Sequence, residues 1–189
     1  ASGGGRVCSV EPTPGALRRL RANLERNGVS NVVIQEGVLG AKAGLVCFNV
    51  VEGREEYSSM RPIQHTHALQ FDTLEMQAPC RTLDSLVEEH GLNPGFVKMD
   101  VEGAEWDVFQ GAVVTLSKYR PVILAELDDR LLSGFGTCCA NVCRFLEEQG
   151  YQVLDARTGG AVRGRQGDTI LAVPAKGVAS QSAKQDPAR

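Results

Sequence analysis

No apolar run in the chain approaches the ~20 residues that span a bilayer. The opening stretch, ASGGGRV, has no apolar core of the kind that directs secretion. Charge of one sign is also lacking: the net charge is -3, which gives no electrostatic footprint for nucleic acid. Histidine is scarce, with only three in the chain, and none stands at metal-ligand spacing from a cysteine. No metal site is therefore expected. The cysteines Cys8, Cys47, Cys80, Cys138, Cys139 and Cys143 contain no CxxC pair. They read as free, buried or half-buried thiols in a reducing compartment, which favours an intracellular location. A disulfide or zinc site is the alternative. Neither a Ser-His-Asp arrangement nor a GxxxxGK[ST] loop is present. The first methionine is Met60, so the chain reads as a fragment or processed form, with room for a targeting segment upstream.

What is present suits one globular domain. The 189 residues can bury a sizeable core, and 42% are hydrophobic. RVCSVEP (6–12) is a short apolar strand ending in an acid. Thr13 and Pro14 supply a helix N-cap and first helical residue, and Leu17, Leu20 and Leu24 follow on one face. Asn27-Gly28 stops that helix. Further strands are expected over 31–37, 44–53, 96–101, 121–127, 151–156 and 168–174, and near 67–72 and 74–80. Helices are expected over 83–90, capped by Thr82, and over 104–118 and 137–149. From 175 onward the chain lacks apolar periodicity and reads as a disordered tail, leaving a domain over 1–174. Strands alternating with helices imply an α/β fold, mainly parallel, with helices on both faces. The last two strands, joined by a short Gly- and Arg-rich turn, should pair antiparallel.

In such sheets ligands bind beyond the carboxyl ends of the strands. Acids occupy those ends: Glu11, Glu36, the pair Asp100 and Glu102, and Glu126. Glu11, closing a strand before a helix, could accept from both hydroxyls of a ribose; a solvated acid near a helix start is the alternative. The stretch FVKMDVEGAEWDVFQGA (96–112) packs Asp100, Glu102, Glu105 and Asp107 into eight residues. Acids so close repel one another and resist burial. In an extended strand, Asp100 and Glu102 would share a face with Lys98, ~7 Å apart. Lys98 can offset one acid. Glu105 and Asp107 read as acids of a helix's first turn, where negative charge is favoured. Asp100 and Glu102 remain candidates for ligand binding or catalysis. Trp106 reads as a packing residue, and His65 and His67 as loop histidines.

Taken in order, VCSVEPTPGALRRLRANLERNG, VVIQEGVLGAKAGLVCF, TLDSL, FVKMDVEGAEWDVFQGA and PVILAEL resemble the FkbM-type methyltransferases over about residues 6–128. The K-x-D-x-E-G-x-E core with Gly111, together with E-P-x-P, carries the resemblance. It implies a class I, Rossmann-like fold that uses S-adenosylmethionine. It implies ribose binding by Glu11, and places Glu36, Gly37 and Val38 along the adenine. It puts Asp100 and Glu102 near the methionine end and the acceptor, with Glu126 a further candidate for orienting or deprotonating it. The usual chemistry is O-methylation of a hydroxyl on a small molecule or sugar, so the implied partner is a small-molecule or glycan acceptor. One departure stands out. In this family a strand and a D-x-G-x-x-x-G loop precede the EP strand, and nothing here matches them; Gly3-Gly4-Gly5 lies too close. Without that strand, those at 6–11 and 96–101 would each lack a neighbour. The chain then reads as the C-terminal portion of a longer protein, and as given it should bind cofactor poorly or not at all. Two other readings stay open: a non-catalytic nucleotide-binding or scaffold domain, and, more distantly, a nicotinamide-dependent oxidoreductase.

Overall fold

The computed structural model describes residues 5–64, 66–162 and 168–175. His65, the turn at 163–167 and the tail from 176 lie outside the described residues, as do Gly3 and Gly4. The elements run β1 (Val7–Glu11), α1 (Pro14–Arg26), β2 (Val32–Glu36), β3 (Val38–Leu39), β4 (Gly44–Val51), a 3-10 turn (Glu55–Tyr57), β5 (Thr73–Arg81) and α2 (Leu83–Glu89). They continue with β6 (Phe96–Met99), α3 (Glu105–Gln110), α4 (Val113–Tyr119), β7 (Val122–Leu127), α5 (Asp129–Ser133), α6 (Cys139–Glu148), β8 (Tyr151–Asp155) and β9 (Asp168–Pro174).

The fold is mixed α/β, but it is not mainly parallel. Three small sheets form, with orders β1-β2, β3-β5-β4 and β6-β7-β9-β8. The pairs β1/β2, β3/β5 and β6/β7 are parallel, while β4/β5, β7/β9 and β8/β9 are antiparallel. The expected antiparallel pairing of the last two strands is present. The mainly parallel expectation fails because β9 inserts antiparallel beside β7, and β4 folds back on β5 as a hairpin with a long loop. One face of β7 is buried through Ile123, Ala125 and Leu127, and Glu126 is exposed on the other. That alternation suits a strand with one antiparallel neighbour better than a strand covered on both faces.

The main core gathers Ile123, Ala125, Leu127 and Ile170 with Val108, Phe109, Leu116, Leu132, Val142 and Leu146 of the helices. Trp106 packs edge-on against Phe145, with ring centroids 5.4 Å apart. A second cluster joins Val38, Phe48, Ala78 and Cys80 under the β3-β5-β4 sheet. All six cysteines are free thiols. Burial pushes the Cys143 thiol up to about 11, which leaves it unreactive at neutral pH. Among the described residues, no helix is long and apolar enough to cross a membrane.

Three local expectations are corrected. The helix expected over 104–118 is two helices, broken at Gly111-Ala112. The Gly111 carbonyl accepts from Asp84 N–H at 3.0 Å instead of continuing the helix. Asp84 then caps the second helix, its Oδ2 accepting from Val114 N–H (3.0 Å) and Oδ1 from Thr115 N–H (2.7 Å). Gly111 is needed there because a Cβ would stand 2.2 Å from the Gly40 carbonyl oxygen. Residues 66–70 form turns, not a strand. At the head of α1, Thr13 occupies the cap position, but its side chain makes no cap bond to the helix. Its hydroxyl donates instead to Glu11.

Among the described residues, β1 pairs with β2 alone and β6 with β7 alone. The amino ends of β1 and β6 are drawn together where Arg6 Nη1 donates to the His90 carbonyl, 3.0 Å away at the end of α2. Their carboxyl ends are spanned by one segment: Glu55 pairs with Arg19 of α1 at 2.8 Å, and Ser59 Oγ donates to the Glu102 carbonyl at 3.2 Å. No ladder joins β1 to β6 among the described residues. Val7 of β1 is 49% and Phe96 of β6 57% exposed, which is unusual for apolar residues in parallel-type strands.

Candidate active site

The strand expected over 96–101 ends at Met99, and the chain then turns sharply. Glu102 has φ +53° and Gly103 φ +96°. Two consecutive left-handed residues cannot continue a strand, so Asp100 and Glu102 do not form the extended pair expected. Glu102 is not glycine, so this conformation is costly and must be held by its surroundings. Gly103 has little choice: a Cβ would meet the Leu131 carbonyl carbon and oxygen at 2.8 Å. The turn is braced by Glu105, whose Oε1 accepts from Val101 N–H (3.3 Å) and Gly103 N–H (3.4 Å).

The four crowded acids are each accommodated differently. Asp100 is half exposed and paired with Lys98 at 3.1 Å, the offset expected from the sequence. Asp107 lies in the first turn of α3. Glu102 lends its backbone to Ser59. Glu105 is 2% exposed. Burial raises its carboxyl to about 7; backbone amides, its own first and then those of Val101 and Gly103, pull it back down in part, and the Glu102 charge adds to the rise. Glu105 Oε2 is buried without a hydrogen-bond partner among the described residues. Its crowding is thus relieved by holding a proton near neutral pH.

Parallel pairing sets Met99 beside Ala125, so Asp100 and Glu126 emerge at the same rim. Glu126 is exposed and makes no hydrogen bond among the described residues. The next acid, Asp128, caps α5 by accepting from Arg130 N–H at 2.8 Å. Arg130 also clamps both carboxylate oxygens, with Nη2 to Oδ2 at 2.6 Å and Nε 3.1 Å from each oxygen. A cavity of about 140 Å³ is lined by Asp100, Glu102, Glu105 and Glu126 together with the Asp128–Arg130 pair. Asp100, Glu102 and Glu126, the three candidates for acceptor chemistry, therefore meet at one opening. Glu105 and the Asp128–Arg130 pair join them without having been singled out. The motif Asp128-Asp129-Arg130 after a strand is a legible N-cap signal. Nothing in the sequence distinguishes Glu105 from an ordinary first-turn acid. Among the described residues, no group of three or more His, Cys, Asp or Glu side chains has metal-holding geometry.

The other sequence candidates gather at the end of β1 and β2 and do not line that cavity. Glu11 lies beside Glu36 in the parallel register. Glu11 Oε1 accepts from Thr13 N–H (2.8 Å) and Thr13 Oγ1 (2.6 Å), while Oε2 makes no hydrogen bond among the described residues. Glu36 is exposed and paired with Arg21. Gly37 donates to the Glu11 carbonyl at 3.1 Å. Its φ of +124° and the Pro79 carbonyl, 2.3 Å from where a Cβ would stand, require glycine there with or without a ligand. Val38 turns its side chain into the second core, so only its backbone is free to border a cofactor.

Comparison with known proteins follows the same lines. Residues 1–153 match the family model described as the methyltransferase FkbM domain. No curated protein matches the chain. A crystal structure described as methyltransferase FkbM from Methylobacillus flagellatus KT is similar, with a TM-score of 0.54 and 18% identity. The match covers 89% of this chain and 36% of that one, so this chain spans little more than a third of its neighbour's length. At that identity the likeness speaks for the fold alone. With the domain model matched across 153 of its 189 residues, the chain belongs to the FkbM methyltransferase family.

Proposed function

We propose that the full-length protein transfers a methyl group from S-adenosylmethionine to a hydroxyl of a small-molecule or glycan acceptor. The observation that carries this reading is the meeting of Asp100, Glu102 and Glu126 around one cavity at the carboxyl rim of β6 and β7. Family membership supplies the reaction class. The cofactor, when bound, supplies an already electrophilic methyl carbon, so the protein needs mainly alignment.

The chain's residues fit the cofactor in part. Glu11 has one carboxylate oxygen left for a ribose hydroxyl, and Gly37 lets the backbone run close beside it. In this reading Glu36, Gly37 and the Val38 backbone border the adenine. Glu126, exposed and without a hydrogen bond, accepts from the acceptor hydroxyl and orients it. Asp100 and Glu102 bound the same opening. An alcohol gives up its proton reluctantly and the methyl carbon is already electrophilic, so orientation is the role assigned to these carboxylates.

The cavity of about 140 Å³ is smaller than the roughly 300–1,000 Å³ of typical ligand sites. The unpaired edges of β1 and β6 account for the shortfall. We assign a further parallel strand to the slot between them; with its following loop it would close the cofactor's amino-acid end. A non-catalytic scaffold is favoured by the small cavity alone. Incubating the full-length protein with methyl-labelled S-adenosylmethionine and a panel of sugars and polyols tests the two. Label transferred to oxygen supports the enzyme. Cofactor binding without transfer to any acceptor supports the scaffold.

A further inference from the structure

We infer that Glu105 is a positioning residue, whose buried carboxyl clamps the backbone on both sides of Glu102 and so holds Glu102 in the left-handed turn at the cavity mouth. Three observations carry this. Glu105 Oε1 accepts from the amides of Val101 and Gly103, the residues that flank Glu102. Glu102 occupies a backbone conformation that costs a non-glycine residue free energy and persists only where neighbours enforce it. Glu105 is itself fully packed, at 2% exposure, so its carboxyl cannot swing away to water.

Within the motif, Ala104 N–H closes the turn on the Val101 carbonyl at 3.2 Å; further restraints come from outside it. Ser59 Oγ holds the Glu102 carbonyl, and the Leu131 backbone blocks any Cβ at Gly103. Both fix where the turn lies. Glu105 adds a side-chain tie between the amides on either side of Glu102. The groups facing Glu105 are Glu102 on its own turn, Asp100 at the end of β6, Glu126 on β7, and the Asp128–Arg130 pair at the head of α5. Glu102 raises the Glu105 carboxyl further. Arg130 is engaged by Asp128 and is not spare to neutralise Glu105.

The clamp has a signature that ordinary packing would lack. A carboxyl that titrates while accepting from two amides shifts both amide protons with a common midpoint. In this protein the midpoint should fall near 7. The test is an NMR pH titration of the full-length protein and its Glu105→Gln variant, following the amide protons of Val101 and Gly103 and the three-bond amide–Hα coupling of Glu102. In the wild type both amides should move together, and the Glu102 coupling should keep its left-handed value. In Glu105→Gln the titration should vanish and the coupling should persist, because the amide oxygen still accepts. Glu105→Ala, if it folds, should lose the left-handed coupling. Independent titrations of the two amides, or a common titration surviving in Glu105→Gln, would overturn the inference.

A second arm rests on the proposed cofactor site and fails separately from the first. Glu102→Ala and Glu105→Ala should each weaken S-adenosylmethionine binding by about tenfold, with the double variant no worse than the weaker single one. Glu105→Gln should restore binding. Additive losses would mean that Glu105 does not act through Glu102. Absence of cofactor binding in every form would sink the methyltransferase reading and leave the NMR result standing.

Discussion

Replacing Glu105 by glutamine should change how stability depends on pH, by an amount the structure sets. The native carboxyl holds its proton to about 7, against an ordinary value of 4.5. At 2% exposure there is little solvent to screen the effect. The sign follows from proton counting. Between those two values the unfolded chain has released the proton and the native protein still binds it, so stability falls as pH rises. The contribution is fully present below 4.5 and is lost as pH climbs through 7. At 1.36 kcal/mol per unit, the total is on the order of 3 kcal/mol. Glutamine cannot titrate, yet it can still accept from Val101 and Gly103. The stability of Glu105→Gln relative to wild type should therefore improve by about 3 kcal/mol between pH 4.5 and 8. Other acids titrate in both proteins and cancel in the difference. Urea unfolding at several pH values would show it as a relative midpoint shift of roughly 1–3 M. A difference between the two proteins that stays constant across that range would refute the burial account of Glu105.

Two further predictions come from the same geometry. Asp84→Ala removes both amide acceptors at the head of α4 and should cost about 1–3 kcal/mol by urea unfolding, with faster hydrogen exchange confined to Val114 and Thr115 and their helix. Glu126→Gln touches an exposed side chain without a hydrogen bond among the described residues, so stability should stay within about 0.5 kcal/mol. Methyl transfer by the full-length variant should nevertheless fall at least about tenfold, consistent with loss of an orienting acceptor.

Much of the fold was legible because local signals agreed with tertiary structure. Thr82 caps α2 as read, its hydroxyl accepting from Ser85 N–H at 3.1 Å. Pro14 opens α1 and Asn27-Gly28 closes it. What escaped depends on contacts between distant residues. Nothing in residues 104–118 says that Asp84 will capture the Gly111 carbonyl and split the helix. The left-handed Glu102 follows from Ser59, Leu131 and Glu105 acting together, and a run of VKMDVEG reads locally as continuing strand. The sheet pattern was misjudged for a similar reason. Strand–helix alternation gives no sign that β9 will lie between β7 and β8.

The candidate site was legible at the level of strand ends. Acids placed there by chain order, Asp100, Glu102 and Glu126, do share a cavity. Their roles, and those of Glu11, Glu36, Gly37 and Val38, rest on chemistry still to be measured. The burial of Glu105 could not be read, since a first-turn glutamate is ordinarily solvated. Its burial, at 2% exposure, arises only in the folded chain.

The central claim of the proposal is that Glu11 takes part in binding an adenosyl cofactor. Calorimetric titration of S-adenosylmethionine into the full-length protein and its Glu11→Ala variant tests it most directly. The account predicts binding by the wild type and a loss of about 1–3 kcal/mol in the variant, roughly 5- to 150-fold in affinity, with the fold retained. Equal affinity in the two proteins, or no binding by the wild type, would contradict it.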